Sequence, residues 1–556
     1  MSAEQEFAVL AGEYLDDLAL RHPDAATGIG DHRYDDRLPD RSEPGLAVER
    51  RALDSFAARL AALDSGPLTP ELRVDAAMLS DSVARRIFEL DELREHTWNP
   101  LLANPGSAIY DLLARDFAPL PDRLASVAGR LARIPENLAG ARASLGAMPK
   151  VHIETAITQF GGTIKLVTDE VDAALRKAGG SAAVDTARPA ALDALTGHRD
   201  WLAAKLADPG PAGFADPRIG PERFARKLSL TLSAAADPDT ILARAEADLD
   251  RITGQITEVA AGLGGTPREV LGRLAADTPV DINRGVEGGS PPLAQAERTI
   301  LRFCAGALAA QTEFVRDHHL VALHDDPIEI IDMPELNRGV AVAYCDSPGP
   351  LETAPLATFI AVSPVPGDWT PERKASFYRE YNRHLVHNLM VHEAMPGHYL
   401  QLGHSRRFSG GTRLRAALRS GSFIEGWAVY AEELMADHGY PGEGDPRSVR
   451  MQQLKMQLRT TINAILDARV HAHGMTEAEA MALMSDRGFQ EEGEAAGKWR
   501  RALLTSAQLS TYYVGYTEVS DLAAELRAAP GQTDQMMHDS MLAHGSPPVR
   551  LLRTLL

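Results

Sequence analysis

WTPERKASFYREYNRHLVHNLMVHEAMPGHYLQL, residues 369–402, is the stretch on which the reading of this chain turns. Thr370 can cap a helix, and Pro371 suits the first helical position, where its missing N–H is not needed. Apolar residues then recur at three- and four-residue intervals, so the spacing predicts a long helix running from Pro371 into the histidines. Inside it, His392 and His398 flank Glu393-Ala394-Met395-Pro396-Gly397. A histidine followed by a glutamate and a second histidine begins like the zinc-peptidase pattern, in which two imidazoles one turn apart hold the metal and the glutamate is the base. Here the histidines are six residues apart instead of four. A regular helix would leave their rings about 120° out of register and about 9 Å apart along the axis. Pro396 would clash with the carbonyl of residue 392 and interrupt the ladder, while Gly397 could take backbone angles that swing His398 back. The interruption thus supplies a route to convergence on one cation.

A catalytic zinc usually keeps three protein ligands and a water, so an acid is expected elsewhere. Glu425, 27 residues after His398 in SFIEGWAVYAEELMADHG (422–439), is the candidate. Beside Phe423, Trp427 and Tyr430, an inward-facing carboxylate is costly to bury unless it is paired or bound to metal. Glu432, two turns on, is a candidate acceptor for the other N–H of a ligand imidazole. His384, His387 and His404 lie nearby without an accompanying acid pattern, and supporting or solvated roles are expected for them.

PIEIIDMPELNRGVAVAYCDSPGP (327–350) and APLATFIAVSP (354–364) are rich in β-branched residues and broken by Pro and Gly, which predicts two or three short strands. An exposed edge in VAVAYCD (340–346) could pair with an extended peptide. Before them the chain reads as helices. Phe7, Leu10, Tyr14 and Leu18 line one face, and similar periodicity returns around 46–64, 71–92, 121–145, 151–178, 190–206, 239–263 and 291–318. Clusters of Pro and Gly at 207–221 and 264–270 read as turns. The expected fold class is therefore mainly α. An N-terminal helical lobe is expected over 1–230 and a catalytic lobe over 231–556, with short strands at 327–364 and metal-binding helices at 371–437.

Composition limits the partners. The chain has 556 residues, with 77 acidic against 57 basic side chains and a formal charge of −20, so its mean field repels phosphate backbones and anionic lipid. Nucleic acid and membrane are not expected as partners. Only Cys304 and Cys345 are present, too few for a disulfide framework or a four-cysteine metal site. With no basic n-region at the start and no apolar run long enough to span a bilayer, a cytoplasmic protein is expected.

The motifs VHEAMPGHYLQ (391–401) and EGWAVYAEEL (425–434), supported by ATGIGDHRYDDRLPD (26–40) and IGPERFARKL (219–228), resemble the DUF885 family, which looks like a distant branch of the gluzincin metallopeptidases. The resemblance covers nearly the whole chain. It implies His392, His398 and Glu425 as zinc ligands, Glu393 as general base, and a two-lobed helical body with a deep cleft and a small sheet beside the active-site helix, as in neurolysin or angiotensin-converting enzyme. It extends to Asp467 and His471, which fit an Asp and a His four residues apart, although Ala468 and Arg469 stand where Thr and Gly are usual. It extends also to Tyr512 and Gly515, which fit a Tyr-x-x-Gly pattern. Tyr512 or His471 is then expected to stabilise the oxyanion, with Tyr513 and Tyr516 as substitutes for Tyr512.

These readings converge on a Zn2+-dependent hydrolase of peptide or peptide-like amide bonds, with a small peptide as partner. A hydrolase of non-peptide amides or modified natural products, and a catalytically silent metal-binding scaffold, are the alternatives. Arg550 is too weak a candidate anchor to decide between cleavage at an end and within a chain.

Overall fold

The computed structural model describes residues 2–234, 236–279, 293–334, 342–364 and 370–556. The fold is mainly helical with a small three-stranded sheet. The chain divides into two compact units, each discontinuous in sequence.

The first unit comprises Met1–Ile219, Pro348–Leu356 and Ser409–Leu418. Its main helices are α1 (Ala3–Arg21), α2 (Glu43–Ala62), α3 (Pro70–Phe88), α4 (Leu120–Ser144), α5 (Lys150–Lys165) and α6 (Ala182–Ala207). Phe7, Leu10 and Tyr14 of α1 are buried against Leu53 and Phe56 of α2 and Leu79 and Val83 of α3, so the periodic apolar face is the core face. Leu414, from a far later segment, completes this cluster. Two returns of the chain are held by specific bonds. Leu351 N–H donates to Ile29 O (2.9 Å), and His32 sits between Asp35 (2.9 Å) and Glu352 (3.0 Å). Arg415, fully buried, donates to Asp75 (2.6 Å). A single cut at residue 230 falls beyond the first break, at Ile219, and does not describe these returns.

The second unit comprises Gly220–Ser347, Ala357–Phe408 and Arg419–Leu556. The elements that matter below are α7 (Pro238–Gly262), α8 (Leu293–Asp317), β1 (Ile328–Asp332), β2 (Ala343–Asp346), β3 (Thr358–Val362), α9 (Pro371–Glu380), α10 (Arg383–Glu393), α11 (His398–Arg407), α12 (Gly421–Asp437), α13 (Pro446–His473), α14 (Glu492–Leu504) and α15 (Ser510–Arg527). The sheet order is β1-β3-β2, with β1 parallel and β2 antiparallel to the central β3. Ile330 and Cys345 both face Ile360 in register. β2 lies at the sheet's margin and contacts α10. Of the expected edge VAVAYCD, Val340 and Ala341 lie outside the described residues. α13 is buried on nearly every face, including Leu454, Leu458, Ile462 and Leu466, and so is the inner helix around which α10, α12 and α15 pack.

Two expectations about elements are corrected. The stretch after Pro371 is two helices instead of one: α9 stops at Glu380, and Asn382 caps α10 by accepting from Leu385 N–H (3.2 Å). The cluster 264–270 is partly a helix start, because Thr266 and Glu269 satisfy each other's backbone N–H in a capping box at the head of Pro267–Ala275.

Candidate metal centre

The centre is built by the break that Pro396 and Gly397 impose. α10 ends at Glu393 and α11 begins at His398, so the two histidines sit at the facing ends of different helices. Gly397 lies so close to the preceding turn that a Cβ there would stand 1.9 Å from His392 O and 2.3 Å from Val391 O. Its φ is −72°, so the space, not a left-handed backbone, demands glycine. Trp427, fully buried on α12, donates its Nε1–H to Pro396 O (2.9 Å) and ties the turn to the helix carrying Glu425.

His392, His398 and Glu425 thereby offer ligand atoms that all lie within 4.8 Å of one another. His392 Nε2 stands 3.6 Å and His398 Nε2 3.5 Å from Glu425 Oε2. These separations are long for hydrogen bonds. They match the roughly 3.3–3.4 Å expected between two ligands each about 2.0–2.1 Å from a tetrahedral zinc. Glu425 Oε2 is buried without a hydrogen-bond partner, the condition a cation would relieve. Burial alone would raise the Glu425 carboxyl, but the two imidazoles outweigh it and hold the group well below the usual carboxylate range. Behind the ligands, His392 Nδ1–H donates to Glu432 Oε1 (2.7 Å), which directs the Nε2 lone pair forward. The other oxygen of Glu432 accepts from Asn388 (2.6 Å), one turn before His392. The residues present fit a zinc ion.

Glu393, 7% exposed, makes no hydrogen bond or ion pair with another described residue, so its carboxylate is available to a water or substrate proton. Tyr512 enters from α15. A Cβ on Gly515 would lie 1.9 Å from Ser422 O, and one on Gly426 would lie 2.2 Å from the carbonyl carbon of Gly515. Two facing glycines let the backbones of α12 and α15 touch, which brings Tyr512, one turn before Gly515, towards Glu425, the neighbour of Gly426. Burial, with the Glu425 charge second, pushes the Tyr512 phenol up. Its oxygen accepts from Arg501 (2.9 Å) and Gln508 (3.2 Å), leaving the O–H proton free to donate.

Residues 23–556 match a family described as "Bacterial protein of unknown function (DUF885)". The chain belongs to the DUF885 family. No curated protein matches it. Among solved structures, "a putative lipoprotein of unknown function from Shewanella oneidensis" is 28% identical, with a TM-score of 0.81 over 99% of this chain and 99% of that one. A "putative lipoprotein from Colwellia psychrerythraea" shares the fold at 15% identity, with a TM-score of 0.80 over 100% of this chain and 99% of that one. These neighbours overturn the expectation of a cytoplasmic protein. That expectation rested on the absence of a basic n-region and of a long apolar run, and an absence carries no address; Cys304 and Cys345 are free thiols. Among the described residues no helix is long and apolar enough to cross a membrane.

In this DUF885 chain several other expected site residues are engaged elsewhere. Tyr513 donates to Asp248 (2.7 Å) on α7, and Tyr516 donates to Glu433 (2.7 Å), so neither substitutes for Tyr512. His384 pairs with Asp277 (3.3 Å), His387 Nδ1 meets Tyr440 Oη (2.9 Å), and His404 donates to Ala322 O (2.7 Å). Arg550 is exposed on the chain's last short helix. His471 is not an oxyanion donor: its Nε2–H is shared by Ala502 O (3.0 Å) and Thr505 O (2.8 Å), and burial pushes its pKa down. Asp467 accepts from Ala507 N–H (3.0 Å), Ser510 N–H (2.9 Å) and Ser510 Oγ (2.7 Å). Together the pair clamps the turn between α14 and α15, and so positions Arg501 and Tyr512.

Proposed function

We propose that this protein is a zinc-dependent hydrolase of peptide or peptide-like amide bonds, with the ligand set of the gluzincin peptidases. The observation that carries the reading is the meeting of His392, His398 and Glu425 across two helix ends, buttressed by Glu432 and flanked by the unpartnered carboxylate of Glu393. Two imidazoles and one carboxylate suit zinc better than magnesium or calcium. Zinc at such a site acts as a Lewis acid on a carbonyl oxygen and lowers the pKa of water.

The chain's own groups complete the chemistry. Glu393 takes a proton from the attacking water as its oxygen bonds to the carbonyl carbon, and returns it to the nitrogen as the C–N bond breaks. Tyr512 directs its O–H at the oxygen on which negative charge develops. Arg501 and Gln508, by donating to the phenol oxygen, hold it in that orientation.

Glu393→Gln tests the reading, since it removes the base and leaves every proposed ligand. Wild type is expected to cleave a mixed peptide library, and the variant to hold the same zinc while losing activity by at least about a hundredfold. A variant as active as wild type would overturn the assignment.

A further inference from the structure

Past Tyr512 the structure holds more positive charge than its acids balance. Lys455 of α13 binds both oxygens of Glu380 (2.8 and 2.9 Å). Arg459, one turn on, pairs with Glu494, with Glu380 second at 3.8 Å. Two carboxylates thus serve two cations. Lys498 and Arg501, one turn apart on α14 and both partly buried, have no carboxylate partner among the described residues. Arg501 donates only to neutral oxygens, those of Gln508 (3.0 Å) and Tyr512 (2.9 Å). The charges that act on the Lys498 ammonium are the guanidiniums of Arg459 and Arg501; together with burial, the larger effect, they push its pKa well below the lysine range. In a chain of net charge −20, a lysine and an arginine one helical turn apart with no carboxylate of their own are the kind of arrangement that persists where a ligand supplies the missing negative charge.

We infer that Lys498 and Arg501 form an anion subsite that receives the C-terminal carboxylate of a short peptide, so that the bond cleaved lies close to that end. The location of cleavage rests on the hydrolase reading above; the subsite itself rests on the unbalanced pair. Arg501 links the two places physically, because the guanidinium that would face the carboxylate also holds the phenol of Tyr512, and Tyr512 lies within electrostatic reach of Glu425. A guanidinium beside an ammonium suits a carboxylate through paired, charge-assisted hydrogen bonds. In the reaction one water is consumed, the C–N bond breaks, and the departing fragment leaves as an amine that still carries the bound carboxylate. An acidic side chain near the scissile bond offers the same chemistry, so the test separates the two sources.

Calorimetric titration of the full-length, zinc-loaded Glu393→Gln protein, which binds without turnover, decides the matter. The probes are N-acetyl-trialanine as the free acid, the same peptide as its C-terminal amide, and an amide whose last residue is glutamate. The free acid is expected to bind about ten-fold or more tighter than either amide. Adding Lys498→Met is expected to bring the acid down to the level of the amide with zinc content unchanged, and Lys498→Arg to restore the difference. Equal affinity for acid and plain amide, or a difference that survives Lys498→Met, would overturn the subsite. A glutamate amide binding as tightly as the free acid would overturn the terminal assignment. The acid–amide comparison needs only the Lys498-intact protein, so it stands even if the methionine variant misfolds. Bound zinc without acid preference would sink the subsite and spare the metal reading; acid preference without bound zinc would do the reverse.

Discussion

Gly397 shows how much one residue decides. Two backbone carbonyls occupy the space a methyl group would need, so Gly397→Ala must open the turn that sets His398 against His392. We expect that variant to keep its helical content by circular dichroism while its zinc content falls well below one per chain. Tyr512→Phe removes a single donor; a fall in kcat of about 100- to 1,000-fold, or about 2.7–4 kcal/mol of barrier, is expected with metal content unchanged. At this scale the sequence was informative where chemistry is local. The six-residue spacing, the Pro-Gly break and the acids at 425 and 432 could be read because each makes sense from its neighbours alone. Lys498, Arg501 and the true use of His471 could not, since lysine and arginine on an amphipathic helix normally face water, and only the fold shows them short of acids. A buried Asp467 and His471 four residues apart look like an acid–imidazole couple, but the tertiary structure turns both towards backbone groups of the turn between α14 and α15.

Elements are placed by close approach and by caps. The contact of α12 with α15 depends on Gly426 and Gly515 facing each other, and neither glycine announces this in sequence, where a glycine inside a helix reads only as a weak spot. Gly515→Ala is expected to lower the free energy of unfolding by about 1–3 kcal/mol in urea titrations, and to reduce kcat as Tyr512 is displaced; an unchanged midpoint would contradict the packing account. Loops are held by charge. His32 is stacked on Phe117 (3.9 Å between centroids) and bridges Asp35 and Glu352. Burial opposes its protonation, but the two carboxylates prevail and raise its pKa to about 9. Because the folded value lies above the unfolded value of about 6.5, the stabilisation is full below about pH 6.5 and is lost as pH rises through about 9. The urea midpoint of wild type is expected to fall over that window relative to His32→Gln; parallel curves would refute the bridge. Helix existence is legible from the 3.6-residue period, whereas Asn382 and the Thr266–Glu269 box, which fix boundaries, are short polar signals masked by the stronger apolar pattern.

For the whole molecule the consequence is linkage. A cation that binds only when α10, α11 and α12 are assembled stabilises the second unit by mass action, about 4.1 kcal/mol at a thousand-fold excess over Kd. The mainly helical class followed from periodicity along most of the chain. The discontinuous units did not, because the returns at 348–356 and 409–418 are short segments without a period and are held by contacts with residues hundreds of positions away. Elemental analysis of the purified protein, alongside His392→Ala and Glu425→Ala, tests the metal centre itself. One zinc per wild-type chain, lost in both variants, is expected; a wild type without stoichiometric metal, or variants that retain it, would mean that these three side chains hold no ion.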